Sequence, residues 1–282
     1  MTLGAACGGG LALCAPALAV LGLAFAWPML ALLRMSLNRT GDGGELIPAW
    51  SGDSYAKLLG DGFVWTLTRD SLLLAATAAV LLAYPMALML FRSRSRWRGV
   101  LAVVAVAPLL VSGTARVIGW LVILGDGGLA NAALRALGLP PAHLINNWTG
   151  VRIGLTESVM PYAVMALLAG FGRLDSRLEE AGATLGAPPL LVFWRVTLPL
   201  TAGATVSAWM LAFVLSISAF VTPHLMGGGR VFVLATEIYD GATQTLDWPG
   251  ASALAVFTLV LLLLLLAGQG AASARAARTA VQ

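Results

Sequence analysis

Long apolar stretches alternate with short polar segments along this chain. A helix that crosses a membrane needs roughly 20 apolar residues, because about 30 Å of hydrocarbon is crossed at about 1.5 Å per residue. Six stretches satisfy this requirement, at residues 11–33, 71–91, 99–124, 153–172, 196–229 and 248–274. The pattern therefore predicts an all-α membrane protein with six transmembrane helices.

Composition supports this interpretation. The chain has 282 residues, of which 59% are hydrophobic and only 11% are charged, and the mean hydropathy is +0.87. A soluble domain of this size carries far more charge on its surface. We therefore expect a single membrane domain without a soluble domain between the spans.

The first apolar stretch has two interpretations. The segment CAPALA offers small residues at a spacing that suits signal-peptide cleavage. However, no Lys or Arg precedes Arg34, and the stretch is longer than a typical signal-peptide core. We expect it to be retained as a membrane helix. The two cysteines, Cys7 and Cys14, are too close together to indicate a disulfide framework or a metal site.

Charge separates the loops into two sets. With six spans, nine arginines fall on one side, namely Arg92, Arg94, Arg96, Arg98, Arg173, Arg177, Arg195, Arg275 and Arg278. The positive-inside rule makes that side the cytoplasm, so both termini are predicted to be cytoplasmic. The loops at about 34–69, 125–150 and 227–250 hold nine of the thirteen acidic residues and are predicted to lie outside.

These assignments give three predicted regions. Residues 1–66 form the first transmembrane helix and a periplasmic loop, residues 67–270 the main transmembrane domain, and residues 271–282 a cytoplasmic tail. The basic residues, which raise the isoelectric point to about 9.6, flank membrane spans and suit anionic lipid. They do not surround a nucleic-acid-binding fold, so no nucleic-acid partner is expected.

A patterned segment lies between the fourth and fifth predicted spans. After Glu180 come Ala181 and Gly182, then three residues, Gly186, nine residues, Val196, one residue, and the pair Leu198 and Pro199. This spacing resembles the signature loop of the inner-membrane permease subunits of binding-protein-dependent ABC importers. That signature has Glu-Ala-Ala, Gly, Ile and Leu-Pro at the same intervals, so Gly182 and Val196 are the two departures.

The resemblance covers residues 66–270 and implies a type I ABC importer permease fold with a cytoplasmic coupling helix. It implies that Glu179, Glu180, Ala181, Gly182, Gly186, Leu198 and Pro199 form the loop that couples the permease to the ATPase. The implied partners are two ATPase subunits, a second permease subunit in a heterodimer, a periplasmic solute-binding protein and membrane lipid. This chain would bind no cofactor, because ATP and Mg²⁺ would sit on the ATPase subunits.

Local chemistry agrees with such a helix. The segment RLDSRLEEAGATLG can form a short amphipathic helix with Leu178 and Ala181 on one side. Gly186 can end this helix, and Pro199 is expected at the start of the next span, where its missing N–H costs little. Alternatively, Glu179 and Glu180 are only a solvated face that pairs with Arg173 or Arg177.

Three further stretches are similar to the spermidine/putrescine branch of these permeases. They read TARVIGWLVILGDGGLANAALRALGL, LSISAFVTPHLMGGG and DWPGASALA. The resemblance favours a polyamine such as spermidine or putrescine as the solute. The same branch includes relatives that import ferric iron, phosphonates, opines and amino acids, so these solutes stay open.

Charged groups inside spans cost at least about 2.5 kcal/mol on insertion scales and usually face a cavity or a partner. Arg116 and Glu157 are such groups. They either line the translocation path, pair with each other, or reach towards water at a helix end. Trp120 joins them as a candidate path residue, because an indole ring can hold an ammonium group.

Two other classes of function fit less well. A secondary transporter driven by an ion gradient would need midplane carboxylates or broken helices in two matching halves, and Glu157 is the only acidic residue in a predicted span. An intramembrane enzyme would need a Gly-x-Ser-x-Gly or His-Glu-x-x-His constellation, and the sequence has neither. It also has no Walker A sequence, so this chain is not predicted to hydrolyse ATP.

Overall fold

The computed structural model describes residues 3–41, 45–93, 95–172 and 174–279. Helices dominate this part of the chain, which confirms the all-α prediction. The helices are α1 Leu3–Ser36, α2 Asp53–Gly60, α3 Gly62–Ala76, α4 Tyr84–Arg92, α5 Arg98–Val106, α6 Gly113–Leu124, α7 Leu129–Ala136, α8 Trp148–Phe171, α9 Ser176–Thr184, α10 Pro189–Val192, α11 Leu198–Ile217, α12 Val221–Gly227, α13 Leu234–Thr243 and α14 Trp248–Thr279. Two short strands, β1 Arg39–Thr40 and β2 Leu46–Ile47, pair antiparallel.

Five apolar helical stretches in the described residues are long enough to cross a membrane. They are Ala15–Ser36, Gly113–Ala136, Trp148–Phe171, Pro189–Ile217 and Trp248–Gly270. Two shorter apolar helices cover Val80–Arg92 and Arg98–Leu110. A multi-span membrane protein is therefore confirmed, although five stretches rather than six reach the length of a span.

The second predicted span lies in a longer helical run. A π-helical segment, Thr77–Ala83, joins α3 to α4 without a gap, so the chain is helical from Gly62 to Arg92. The prediction of a helix at 71–91 is correct in position. It missed nine residues at the front, because that part of the helix contains the charged pair Arg69 and Asp70.

The third predicted span is interrupted, which corrects the prediction of one helix over 99–124. After α5 the chain makes a 3₁₀ turn, Ala107–Leu110, and Val111 and Ser112 are extended before α6 begins. Pro108 explains the break, because proline has no N–H to donate and its ring excludes a straight helix. Backbone groups freed in this way are tolerated in a membrane only where protein or water meets them.

The fifth predicted span is shifted towards the N-terminus. Helix α10, a π-helical segment Phe193–Thr197 and α11 form one helical stretch that begins at Pro189 and ends at Ile217. The remainder of the predicted segment 196–229 holds the separate short helix α12. Charge-free sequence alone could not locate this end, because the linker to α12 is as apolar as the helices beside it.

The described residues form two compact units. One comprises the segments up to Gly62 and Ile238–Val260, and the other comprises Phe63–Glu237 and the segment from Leu261. In the first unit, the Arg34 guanidinium donates to Asn38 Oδ1 at 2.6 Å and to the Ala49 carbonyl at 3.0 Å, and it stacks on Trp50. These contacts fix the chain where α1 ends.

Helix α8 is the centre of the second unit. Its N-cap, Asn147, accepts a hydrogen bond from the Gly150 N–H at 3.0 Å and so defines the start of the helix. Small residues let neighbouring helices approach α8 closely. A Cβ at Gly170 would lie 2.1 Å from Ala204 Cβ of α11, and a Cβ at Gly154 would lie 2.5 Å from Met226 Sδ of α12.

Candidate functional site

The segment with the importer-like spacing folds into a short capped helix. Helix α9 begins after Asp175, whose Oδ1 accepts a hydrogen bond from the Arg177 N–H at 2.9 Å. It ends at Gly186, which adopts φ +80°. The Gly186 N–H donates to the Ala183 carbonyl and the Ala187 N–H to the Gly182 carbonyl, which is a Schellman arrangement. The expectation that Gly186 ends the helix is therefore correct.

The two glutamates of α9 have different surroundings. Glu179 has only 18% of its side chain exposed, and its Oε1 accepts from Arg92 Nη2 at 2.6 Å and from Thr197 Oγ1 at 2.5 Å. Glu180 is exposed. The apolar side chains of Leu178 and Leu185, in or next to the same helix, are also exposed, at 48% and 87%. Glu179 thus makes contacts within its own chain, whereas the side chain of Glu180 is available at the surface.

We call Arg92, Glu179 and Thr197 the Glu179 cluster. It joins three elements, because Arg92 ends α4, Glu179 lies in α9, and Thr197 ends the π-helical segment before α11. Thr197 is completely buried. Its carbonyl accepts a hydrogen bond from Thr201 Oγ1 at 2.7 Å. The Thr201 hydroxyl lies 2.8 Å from the Tyr84 hydroxyl, so the hydrogen bonds continue to the start of α4.

The other residues of the motif lie around this cluster. Gly182 faces the body of the protein, where a Cβ would lie 3.2 Å from Val192 Cγ2, whereas Ala181 is exposed. Leu198 packs against the core cluster around α8. The sequence predicted that Pro199 lies at the start of its span, and this prediction is wrong, because the helical stretch already begins at Pro189. Pro199 follows the π-helical segment within a continuous helix, and such a segment accommodates a missing N–H.

Arg92 and Thr197 are the functional candidates that the sequence did not reveal. Arg92 is one of four arginines in RSRSRWR, which indicated only the side of the membrane. Thr197 occupies the one unspecified position between Val196 and Leu198. Neither has a pattern of its own, because only the fold brings residues that are 105 positions apart within 3.3 Å.

The two charged residues that the sequence analysis singled out within spans form an ion pair. Arg116 Nη1 of α6 lies 2.9 Å from Glu157 Oε1 of α8, and the side chains are 16% and 21% exposed. Of the alternatives left open by the sequence, direct pairing is therefore correct. Within the described residues, Arg116 Nε and Glu157 Oε2 are buried without a hydrogen-bond partner. Glu157 thus keeps one free acceptor.

Glu157 and Trp120 also line a cavity of about 500 Å³ against α8, which we call the α8 cavity. Most of its wall is apolar, with Met86, Val104 and Met160 among the lining side chains. Arg152 lies at the wall too, and its guanidinium carbon is 5.9 Å from the centre of the Trp148 ring. Among the described residues, no group of three or more side chains is arranged to hold a metal ion.

Comparison with known sequences identifies the kind of protein that shares this pattern. Residues 79–278 match the family described as the binding-protein-dependent transport system inner membrane component. The putrescine transport system permease protein PotI of Escherichia coli is 30% identical over 251 residues, covering 86% of this chain and 83% of that protein. The spermidine/putrescine transport system permease protein PotB of Haemophilus influenzae is 30% identical over 190 residues, covering 67% of this chain and 66% of that protein.

Solved structures share the fold. A bacterial ABC transporter involved in the import of the acidic polysaccharide alginate contains a chain with a TM-score of 0.70 at 20% identity, over 91% of this chain and 92% of that chain. The same kind of transporter in complex with its alginate pentasaccharide-bound periplasmic protein gives 0.71 at 19% identity, over 94% and 93%. At this identity the match establishes the importer permease fold, as the sequence resemblance predicted.

Proposed function

Because the chain belongs to the family of binding-protein-dependent transport system inner membrane components, we propose that it forms part of the membrane path for a polyamine such as spermidine or putrescine. The observation that carries this proposal is the similarity to two polyamine permeases, PotB and PotI, of which the second is matched over 86% of this chain. The permease role itself follows from membership of the family.

The proposed assembly contains this chain, a second permease subunit in a heterodimer, two ATPase subunits and a periplasmic solute-binding protein. Helix α9 would dock in the ATPase through its exposed side chains, which include Glu180 and Leu178. ATP and Mg²⁺ would be bound by the ATPase subunits. Closure of these subunits would then push on α9 and switch the cavity between inward-facing and outward-facing states.

We also propose that the arginine-rich side of the membrane is the cytoplasm and that both termini lie there. The Arg92–Glu179 ion pair supports this, because it places the end of α4 beside α9. Both segments belong to the side on which the positive-inside rule gathers arginines. The docking surface for a cytoplasmic ATPase would then face the correct compartment.

Arg116, Trp120 and Glu157 are proposed to line or border the solute path. Glu157 Oε2 is a free acceptor for an ammonium group, and the Trp120 ring offers a face for the same cation. Arg116 already neutralises Glu157, so the cavity attracts a polycation only weakly. Most of the selectivity is therefore expected in the solute-binding protein rather than in this chain.

One observation favours a second candidate solute. Arg116 and Arg152 give the surroundings of the α8 cavity two positive charges against the single carboxylate of Glu157. An anion such as a phosphonate would meet a more favourable field there than a polyamine does. Of the open alternatives, which also include ferric iron, opines and amino acids, phosphonate is the one that this cavity supports.

Uptake of labelled spermidine and putrescine tests the proposal in the native host. Cells lacking the gene are compared with cells in which it is restored, and unlabelled phosphonate is added as a competitor. We expect uptake to fall at least about tenfold on deletion, to return on restoration, and to stop when ATP is depleted. Unchanged polyamine uptake would contradict the polyamine assignment, and uptake that depends on an ion gradient instead of ATP would indicate a secondary transporter.

A further inference from the structure

The spacing of the importer signature begins at Glu180, and the resemblance places Glu179 in the coupling loop without giving it a separate task. The structure separates the two residues, because Glu179 turns towards the body of its own chain and Glu180 turns outwards. A carboxylate that is 18% exposed and accepts two short hydrogen bonds is held in one geometry. Glu179 is therefore suited to an internal task rather than to a docking contact.

The Glu179 cluster is a junction between α9 and two membrane-spanning stretches. Arg92 Nη2 donates to Glu179 Oε1 and also lies 3.3 Å from Thr197 Oγ1, so a single guanidinium nitrogen contacts both partners. A displacement of α9 therefore pulls on the end of α4 and on the end of the π-helical segment before α11 together. Backbone contacts alone would connect α9 most directly to the segment that follows it in sequence.

The junction continues towards the interior of the protein. The Thr201 hydroxyl donates to the Thr197 carbonyl, so its oxygen is free to accept from the Tyr84 hydroxyl 2.8 Å away. The Tyr84 ring meets Phe171 and Phe193 edge to face, at centroid distances of 5.3 and 5.9 Å. Two residues at opposite ends of α4 thus contact the region where α11 begins: Arg92 contacts Thr197, and Tyr84 contacts Thr201.

Both connected stretches contain a π-helical segment at the point of attachment. Thr77–Ala83 comes directly before Tyr84, and Phe193–Thr197 contains Thr197 itself. Such segments occur often at functional sites, because the wider turn is less regular than an α-helix. The hydrogen bonds therefore reach the π-helical segment of one stretch at Thr197 and adjoin that of the other at Tyr84, whereas Arg92 lies at the far end of α4.

We propose that Glu179 is the positioning residue that transmits the displacement of α9 to the two stretches, through Arg92 and Thr197. Glu180 is the residue that meets the ATPase. This inference rests on the proposed function, since it requires an ATPase to move α9. It divides the paired glutamates into an inner residue that transmits movement and an outer residue that makes the docking contact.

The test compares Glu179→Gln with Thr197→Val in the complete importer reconstituted in liposomes. Glu179→Gln removes the negative charge that pairs with Arg92, and Thr197→Val removes the hydroxyl that donates to Glu179 and accepts from Arg92. Both variants keep the size of the side chain. We expect both to retain the ATPase subunits on purification and to hydrolyse ATP, while importing roughly tenfold less labelled spermidine per ATP. This is the effect of losing one charge-assisted hydrogen bond.

Two control variants distinguish a loss of transmitted movement from a general effect of changing α9 and from a loss of docking. Arg177→Gln changes an exposed residue of the same helix and should leave the ratio of spermidine to ATP unchanged. Glu180→Lys should instead lose the ATPase subunits. A wild-type ratio in Glu179→Gln or in Thr197→Val would overturn the proposal, as would loss of the ATPase subunits from both variants.

A second readout needs no solute and so separates this inference from the polyamine assignment. Cys7 and Cys14 are replaced by serine, and a cysteine is placed at Thr156 in the α8 cavity. Trapping with ATP and vanadate should change its rate of maleimide modification in the parent, but much less in Glu179→Gln. An equal change in both would overturn the proposal. A wild-type importer that retains no ATPase subunit would instead refute the proposed function.

Discussion

At the scale of single residues, the ion pair between Arg116 and Glu157 places two charges in the membrane domain, where desolvating each of them costs free energy. Both side chains are largely buried, and each keeps one buried polar atom without a partner in the described residues. Removing one member leaves a charge in a medium of low dielectric constant. Removing both charges eliminates the desolvation penalty together with the electrostatic attraction between the two side chains.

This predicts a non-additive pair of substitutions. Glu157→Gln should destabilise the folded protein by about 3 kcal/mol, because Arg116 then stays charged without a counter-ion. Arg116→Gln together with Glu157→Gln should restore most of the loss. Thermal unfolding in detergent measures both effects, and Arg152→Gln is the control because that exposed arginine has no carboxylate partner in the described residues. Additive losses would contradict the prediction.

Uptake by the double variant then separates a path role from a structural one. If the pair lines the path, the double variant is stable and transports poorly. Transport at the level of the parent would contradict the proposed path role of Arg116 and Glu157.

At the scale of helices, close approach at small residues determines how α8 packs. Gly170 and Ala204 lie so close that a methyl group added at Gly170 has no space. The atoms that it would meet are Cβ and Cα of Ala204, which cannot move aside as the end of a flexible side chain can. In a membrane, such contacts replace the hydrophobic effect as a source of helix association. The interface between α8 and α11 therefore depends on backbone proximity.

Gly170→Ala should accordingly destabilise this interface by about 1–3 kcal/mol, the usual cost of overpacking. Gly203→Ala is a matched control on α11, since a Cβ there meets no atom within 4 Å. Thermal unfolding and size-exclusion profiles of the two variants in the same detergent compare them. Equal unfolding temperatures would show that the helices shift apart at no cost.

The sequence predicted these helices better than their ends. Apolar stretches placed the start of α14 correctly, because Asp247 directly precedes it, and placed the start of α8 five residues late, because Arg152 interrupts its apolar run. The break at Val111 and the start at Pro189 escaped prediction, since hydrophobicity does not report where a backbone bends. The residues of the candidate site were likewise predicted only in part. Spacing found Glu180 and Gly186, whereas Arg92 and Thr197 contribute only through contacts between distant segments.

At the scale of the whole molecule, the distribution of arginines predicts how the chain sits in the membrane. The segment from Arg92 to Arg98 holds four of them, and Arg177 and Arg195 lie in or next to the α9 region. These residues favour the cytoplasmic side, where anionic lipid and the membrane potential stabilise them. The opposite side carries most of the acidic residues.

Cysteine labelling checks this orientation. In a variant with Cys7 and Cys14 replaced by serine, Ser95→Cys should resist a membrane-impermeant maleimide in intact spheroplasts, whereas Ala136→Cys should react. Both positions are exposed in the structure, so burial does not explain a difference. Permeabilised cells are the control, in which both should react. The reverse pattern in intact spheroplasts would invert the proposed topology.

The π-helical segment Phe193–Thr197 has a consequence for how this chain is compared with its relatives. A wider turn adds one residue and so rotates the preceding part of the helix by about 100° relative to a regular helix. A single helical wheel drawn from Pro189 to Ile217 therefore assigns wrong faces to one half of the stretch. Deleting one residue within the segment should be read as a rotation of the helix, not as a shortening of it.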